Sequence, residues 1–240
     1  MTPYPISFLR ALDDWLAGAP EQRVAKAERL RRELVHIEPE YRQCNVCCYR
    51  RIDFPQDSTE NVRNVITPML DLLHTGKLRE SISSWSTDPE VAKAHVEGVQ
   101  QGEICMIFSR MPAPNEVWLN IGELVKSLRF VTGFQGGSMI DHWAAREKEV
   151  ILEVRHVSPE DVYSFGGFIG TGDQIRLTGI IDGFPPELFN GLELLMQRRG
   201  IKPGQELWLP EERSKALANR MQAHARQRYT HPLPHSEKRK

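Results

Sequence analysis

Arg146-Glu147-Lys148-Glu149-Val150-Ile151-Leu152 sets two carboxylates, two residues apart, at the head of an apolar, β-branched run. Alternation along a strand turns Glu147 and Glu149 to one face at roughly 7 Å. Like charges so placed repel, and read alone the pair fits a solvated edge strand. The runs around it, Glu103–Ser109, Val117–Ile121, Glu149–Val154, Val162–Phe165 and Gln174–Ile180, are short and separated by Pro or Gly. Their richness in Val, Ile, Phe and Trp predicts strands.

The amino-terminal side reads differently. Phe8, Leu9, Leu12, Trp15 and Leu16 recur at helical spacing, as do Val24, Ala27, Leu30 and Leu34, with Ala19-Pro20 between the two sets. Cys47–Phe54 shortens to a strand-like run, stopped by Pro55 and the polar cluster Gln56–Thr59. Val62, Val65, Ile66, Met69, Leu70 and Leu73 then mark another helix. In Ser81–Glu90, Thr87 and Glu90 have capping-box spacing and Pro89 suits a first helical turn, so a helix through Val91, Ala92, Val96 and Val99 should start there. Helical composition returns over Glu187–Arg199 and Glu211–Arg228, around the turn Lys202-Pro203-Gly204.

Helices first, then short strands joined by turns, predict an α+β domain instead of an alternating parallel one. The expected organisation is a domain over residues 1–185, a helical extension over 186–230 and a loose basic tail over 231–240. The 240 residues, 40% apolar and 26% charged, suit a folded globular chain. A net charge of -1 gives no global pull toward nucleic acid or an anionic membrane. Residues 211–240 are the exception, with eight basic side chains against three acidic ones. No stretch approaches the roughly 18 apolar residues of a membrane helix, and no signal-like start is visible. Four cysteines in a chain of this length are too few for a disulfide scaffold. The expectation is a cytoplasmic protein without a membrane partner, delivery into another cell by a specialised route remaining open.

Arg50 lies in the apolar strand run Cys48-Tyr49-Arg50-Arg51-Ile52, where a guanidinium needs an anionic partner. A diphosphate would serve, and so would a carboxylate on a neighbouring element. Ser84-Trp85-Ser86 ends a strand before the capped helix. Taken in order, Tyr49-Arg50, then Ser84-Trp85-Ser86 running into Asp88-Pro89-Glu90-Val91-Ala92, then Glu147-x-Glu149-Val150-Ile151-Leu152, the set resembles the Arg/Ser/Glu-x-Glu class of mono-ADP-ribosyltransferases. This is the cholera-toxin-like group. The resemblance spans residues 47–154.

What it implies is an ADP-ribosyltransferase fold: N-terminal helices followed by a mostly antiparallel split β-sandwich. It also implies NAD as co-substrate. By the resemblance, Arg50 binds the NAD phosphate, Ser84 braces the catalytic strand and holds the nicotinamide ribose, Glu149 bonds the ribose 2′-hydroxyl, and Glu147 positions the acceptor. Gly133–Trp143 falls where the family keeps its substrate-recognition loop. Arg51 stands where the family often has Gly, and Ser-Trp-Ser replaces Ser-Thr-Ser, so Arg51 and Ser86 are the alternative positions for Arg50 and Ser84. The residue types suit the chemistry. Cleavage of the nicotinamide N-glycosidic bond passes through an oxocarbenium-like state that a fixed carboxylate stabilises. A guanidinium acceptor is a weak nucleophile and needs an orienting base.

The implied activity is transfer of ADP-ribose to an arginine of a protein target, in a toxin or effector with an antitoxin or immunity protein as partner. A base of RNA or DNA is the alternative acceptor, supported by the basic C-terminal segment. A non-catalytic binding module on the same fold is the alternative of another class. Cys44-x-x-Cys47-Cys48 lacks a second pair at zinc-binding distance and reads as buried thiols. The Gly133–Gly137 and Gly166–Gly172 clusters make no dinucleotide fingerprint.

Overall fold

The computed structural model describes residues 3–17, 22–54, 63–94, 104–133, 148–167 and 207–230, with Arg146 and Arg198 besides. In chain order its elements are α1 (Ile6–Leu16), α2 (Arg23–Glu33), β1 (Cys48–Phe54), α3 (Arg63–Thr75), β2 (Ile82–Ser86), α4 (Pro89–Lys93), β3 (Ile104–Arg110), β4 (Val117–Asn120), α5 (Ile121–Leu124), α6 (Leu128–Gly133), β5 (Glu149–Glu153), β6 (Val162–Gly167), β7 (Leu207–Trp208) and α7 (Glu211–Thr230). The architecture is α+β, and the strand pairs β1–β2, β2–β5, β4–β5, β3–β6 and β6–β7 are antiparallel. The chain divides into two compact units interleaved in sequence. One comprises Met1–Arg50, Leu78–His95 and Ser109–Arg155, the other Arg51–Lys77, Val96–Phe108 and His156–Lys240.

The first unit holds β4, β5, β2 and the opening residues 48–50 of β1, in the order β4-β5-β2-β1. β2 and β5 run in unbroken register from Ile82 opposite Glu153 to Ser86 opposite Glu149. Phe8, Ala11, Leu12 and Trp15 of α1, at the spacing of one helical face, are all buried. They join Ala27 and Leu30 of α2, Trp118 and Leu119 of β4, and Ile151 of β5 in one apolar core. Val24, expected on the apolar face of α2, is instead 76% exposed. The buried stripe of α2 begins one turn later, and the first turn serves Arg23, which reaches Glu80. The helix after β2 is capped by Asp88 instead of Thr87. The Asp88 side chain accepts from the backbone N–H of Glu90, and Pro89 takes the first helical position.

The second unit orders its strands β3-β6-β7. Ile104, Cys105, Met106, Ile107 and Phe108 of β3 are buried in succession, the mark of a strand covered on both faces. α7 belongs to this unit's core. Leu217, Ala218, Met221 and Ala225 are buried, and Gln222 donates to the carbonyl of Leu73 at the end of α3. Ser214, fully buried, accepts the backbone N–H of Phe165 in β6 and donates to the carbonyl of Leu209. β7 is two residues long and has no periodicity to reveal it in advance. Val96 and Val99, the expected strand Gln174–Ile180, the turn Lys202–Gly204, all but Arg198 of the expected helix Glu187–Arg199 and the tail 231–240 lie outside the described residues. Among the described residues no helix is long and apolar enough to cross a membrane.

α3 ends on Gly76, whose φ of 65 puts it in the left-handed region, with its N–H on the carbonyl of Leu72. Its own carbonyl accepts from Val157, and a Cβ here would lie 2.5 Å from the Val157 oxygen. Gly76→Ala should therefore lower the unfolding free energy by about 1–3 kcal/mol, read by urea denaturation. A change under a few tenths of a kcal/mol would show that this junction yields freely.

Candidate active site

Because residues opposite one another in an antiparallel pair share a face, Ser84, Ser86, Glu149 and Ile151 lie on the same side of the β2–β5 ladder. α1 covers that side. Trp15, 1% exposed, donates its indole N–H to Oε1 of Glu149 at 3.1 Å and lies 3.2 Å from Oγ of Ser84. The Ser84 hydroxyl donates to the same Oε1 in a short contact. Glu149 is thus 3% exposed with its carboxylate held by one donor from a helix and one from the neighbouring strand. A carboxylate this deep is tolerated only when so bonded. Ser86 serves another purpose, its Oγ accepting the backbone N–H of Asp88 at the start of α4.

Arg50 is also tied to β2, but on the other side. Its guanidinium donates to the Glu80 carbonyl at 3.1 Å, to Ser83 Oγ at 2.5 Å and to Glu80 Oε2 at 3.1 Å. Ser83 and Ser84 are consecutive in a strand and point to opposite faces. Burial lowers the Arg50 pKa to about 10, with the carboxylate of Glu80 opposing the shift. The two sides connect around the head of β2. Glu80 Oε2 is 4.0 Å from Arg23 Nε, and the Arg23 guanidinium sits 4.8 Å above the Trp15 ring. Arg51, the alternative to Arg50, belongs to the second unit, where it pairs with Asp53 at 2.6 Å and stacks 5.6 Å over Trp208.

The structure brings Ser84 and Glu149 together, with Ser86 on the same face. The same-face argument for Glu147 does not carry over, because β5 begins at Glu149 and the preceding Lys148 has φ 47, which breaks the alternation. Glu147 and the loop through residues 134–145 lie outside the described residues. Lys148 is pinned from three sides. Its Nζ donates to Asp88 at 2.8 Å, its carbonyl accepts the N–H of Thr87, and its Cα is 3.3 Å from where a Cβ on Gly122 would lie. A left-handed lysine held this way orients the first residue of β5.

Sequence reasoning missed Trp15, Glu80, Ser83 and the Asp88–Lys148 pair. Trp15 reads as an ordinary core position of an amphipathic helix, and the only signal was that a buried indole N–H needs an acceptor. The chain matches no protein-family model, no curated protein and no solved structure.

Since one carboxylate oxygen serves both Trp15 and Ser84, the contacts must be coupled. Trp15→Phe should cost about 1–3 kcal/mol of stability, and a double-mutant cycle with Glu149→Gln should show coupling of about 0.5–3 kcal/mol. Strict additivity would mean that the indole contributes packing alone. The Asp88 carboxyl is held below its ordinary 3.8, first by the hydrogen bond from Lys148 and then by the N–H of Glu90. A depressed folded value contributes stability above the unfolded pKa, lost as pH falls through the lowered value. The Asp88 midpoint by NMR titration should therefore lie below 3.8 and rise in Lys148→Met. Asp88→Asn should keep the helix cap and lose only the lysine, whereas Asp88→Ala should lose both and cost more.

Proposed function

We propose that this chain is a mono-ADP-ribosyltransferase that consumes NAD, transfers ADP-ribose to an arginine of a protein and releases nicotinamide. The observation that carries the reading is the pairing of Glu149 with Ser84 across the β2–β5 ladder. It joins the serine and the glutamate that the sequence resemblance assigns to the nicotinamide ribose. In this reading the Glu149 carboxylate accepts the ribose 2′-hydroxyl and stabilises positive charge on the anomeric carbon as nicotinamide leaves as a neutral base. Ser84 holds the carboxylate in place. Glu147 orients the incoming guanidinium and takes its proton. Because the Trp15 indole N–H is bonded to Oε1 of Glu149, a ribose hydroxyl takes that oxygen once the indole turns aside. The guanidinium of Arg50 is bonded to Glu80 and Ser83 on the opposite face of β2 from Glu149, so in this reading it braces the strand instead of meeting the NAD phosphate.

Two observations favour a second reading, a non-catalytic binding module. Glu149 is 3% exposed, and Arg50 is satisfied within the chain. A buried glutamate with two donors is also a way of locking a helix onto a sheet.

NAD glycohydrolase and transfer assays separate the two. The wild type should hydrolyse NAD slowly and label proteins and the guanidine compound agmatine. Glu149→Gln should reduce both activities by about 100-fold or more with the fold retained by circular dichroism. Glu147→Gln should lose transfer while hydrolysis by water persists. No turnover of NAD by the wild type would establish the binding module, and labelling of RNA or DNA alone would replace the arginine acceptor with a base.

A further inference from the structure

Cys44 and Cys48 stand apart from the site above. Cys44 follows the 3-10 turn Pro39–Arg42, and Cys48 opens β1. Their Sγ atoms are 3.5 Å apart, with both side chains buried. Both sulfurs also lie against the carbonyl oxygen of Val46, at 3.5 and 3.7 Å, so one short turn gathers them. A disulfide needs the sulfurs to close by about 1.5 Å more. Cys47 is half-buried beside them, and Cys105 lies in β3 of the other unit.

We propose that Cys44 and Cys48 are a redox-active dithiol that closes to an intramolecular disulfide by exchange with a small-molecule disulfide such as oxidised glutathione. The two sulfurs have different tasks. The hydrogen bond from Cys48 lowers the Cys44 thiol to about 6, whereas that contact and burial push the Cys48 thiol up. Cys44 keeps 7% exposure whereas Cys48 has none, so Cys44 is the attacking thiolate and Cys48 the resolving thiol. The Cys44 thiolate attacks one sulfur of oxidised glutathione, the glutathione S–S bond breaks, and the first glutathione leaves as a thiolate. Cys48 then gives its proton to that thiolate and attacks the Cys44 sulfur, expelling the second glutathione, which takes a proton from solvent. The protein loses two electrons, and one oxidised glutathione becomes two reduced ones. Closure fastens the turn to the first residue of β1, two residues ahead of Arg50. The proposal rests on the thiol geometry and is independent of the enzymatic reading.

Trypsin releases Gln43–Arg50, which contains Cys44, Cys47 and Cys48 in one peptide. The reduced full chain is incubated with oxidised glutathione, quenched with an alkylating agent in denaturant, digested and mapped by mass spectrometry. The expected peptide carries one alkyl group, on Cys47, and an internal bridge that dithiothreitol opens. The exchange rate should already be near its plateau at pH 7, where an ordinary thiol is still gaining thiolate toward pH 8.5. Cys48→Ser should retain glutathione on Cys44 as a stable mixed disulfide. Three alkyl groups on the peptide, or a bridge that includes Cys47, would overturn the proposal. The mapping uses the native sequence and stands whether or not the variant folds.

Discussion

A carboxylate beneath an apolar helix is the constraint on which the first unit turns. Glu149 carries its carboxyl group to 3% exposure beside Ile151 and under α1, where an unbonded polar group is costly. Trp15 and Ser84 meet that demand together. The register of β2 on β5, the rotation of α1 about its axis and the depth of Trp15 must then agree. An apolar side chain at position 149 would leave each of these free to slip, since hydrophobic contact is not directional. The same demand propagates to Lys148, whose left-handed backbone and bond to Asp88 set the direction from which Glu149 enters the strand.

The guanidinium of Arg50 imposes a parallel condition on the opposite face of β2. Its burial is sustained by Glu80 and Ser83, and Ser83 accepts from Trp85 as well. Arg23 and Trp15 close the circuit around the strand's head. Helix, strand and loop are thereby joined by few interactions of high directional content. In the second unit Ser214 has the corresponding position, a buried hydroxyl between Phe165 and Leu209 that seats α7 on β6.

The coupling of polar satisfaction to register bears on chemistry. A carboxylate that must act on a developing positive charge gains from being fixed and shielded from water before substrate arrives. Glu149 has both properties. Trp15, a core residue of α1, occupies Oε1 of Glu149, so a ligand that bonds the same oxygen must offset the loss of the indole contact.

Much of the fold was legible because it follows from short-range periodicity. The spacing of Phe8, Leu12 and Trp15, the β-branched run after Glu149, and the proline and polar stops around β1 each constrain φ and ψ locally, so the α+β order of elements could be read directly. Ser84 and Glu149 were legible as site candidates only through their order in a motif. Their contact, across 65 residues, was a property of register. The sequence by itself could not place the cap on Asp88 instead of Thr87, turn Lys148 out of the strand, or give α7 to a core. Those outcomes depend on which donors and acceptors meet after the chain has folded. Periodicity specifies one face of an element, whereas tertiary structure alone decides what that face must satisfy, because buried polar groups find partners far away in sequence.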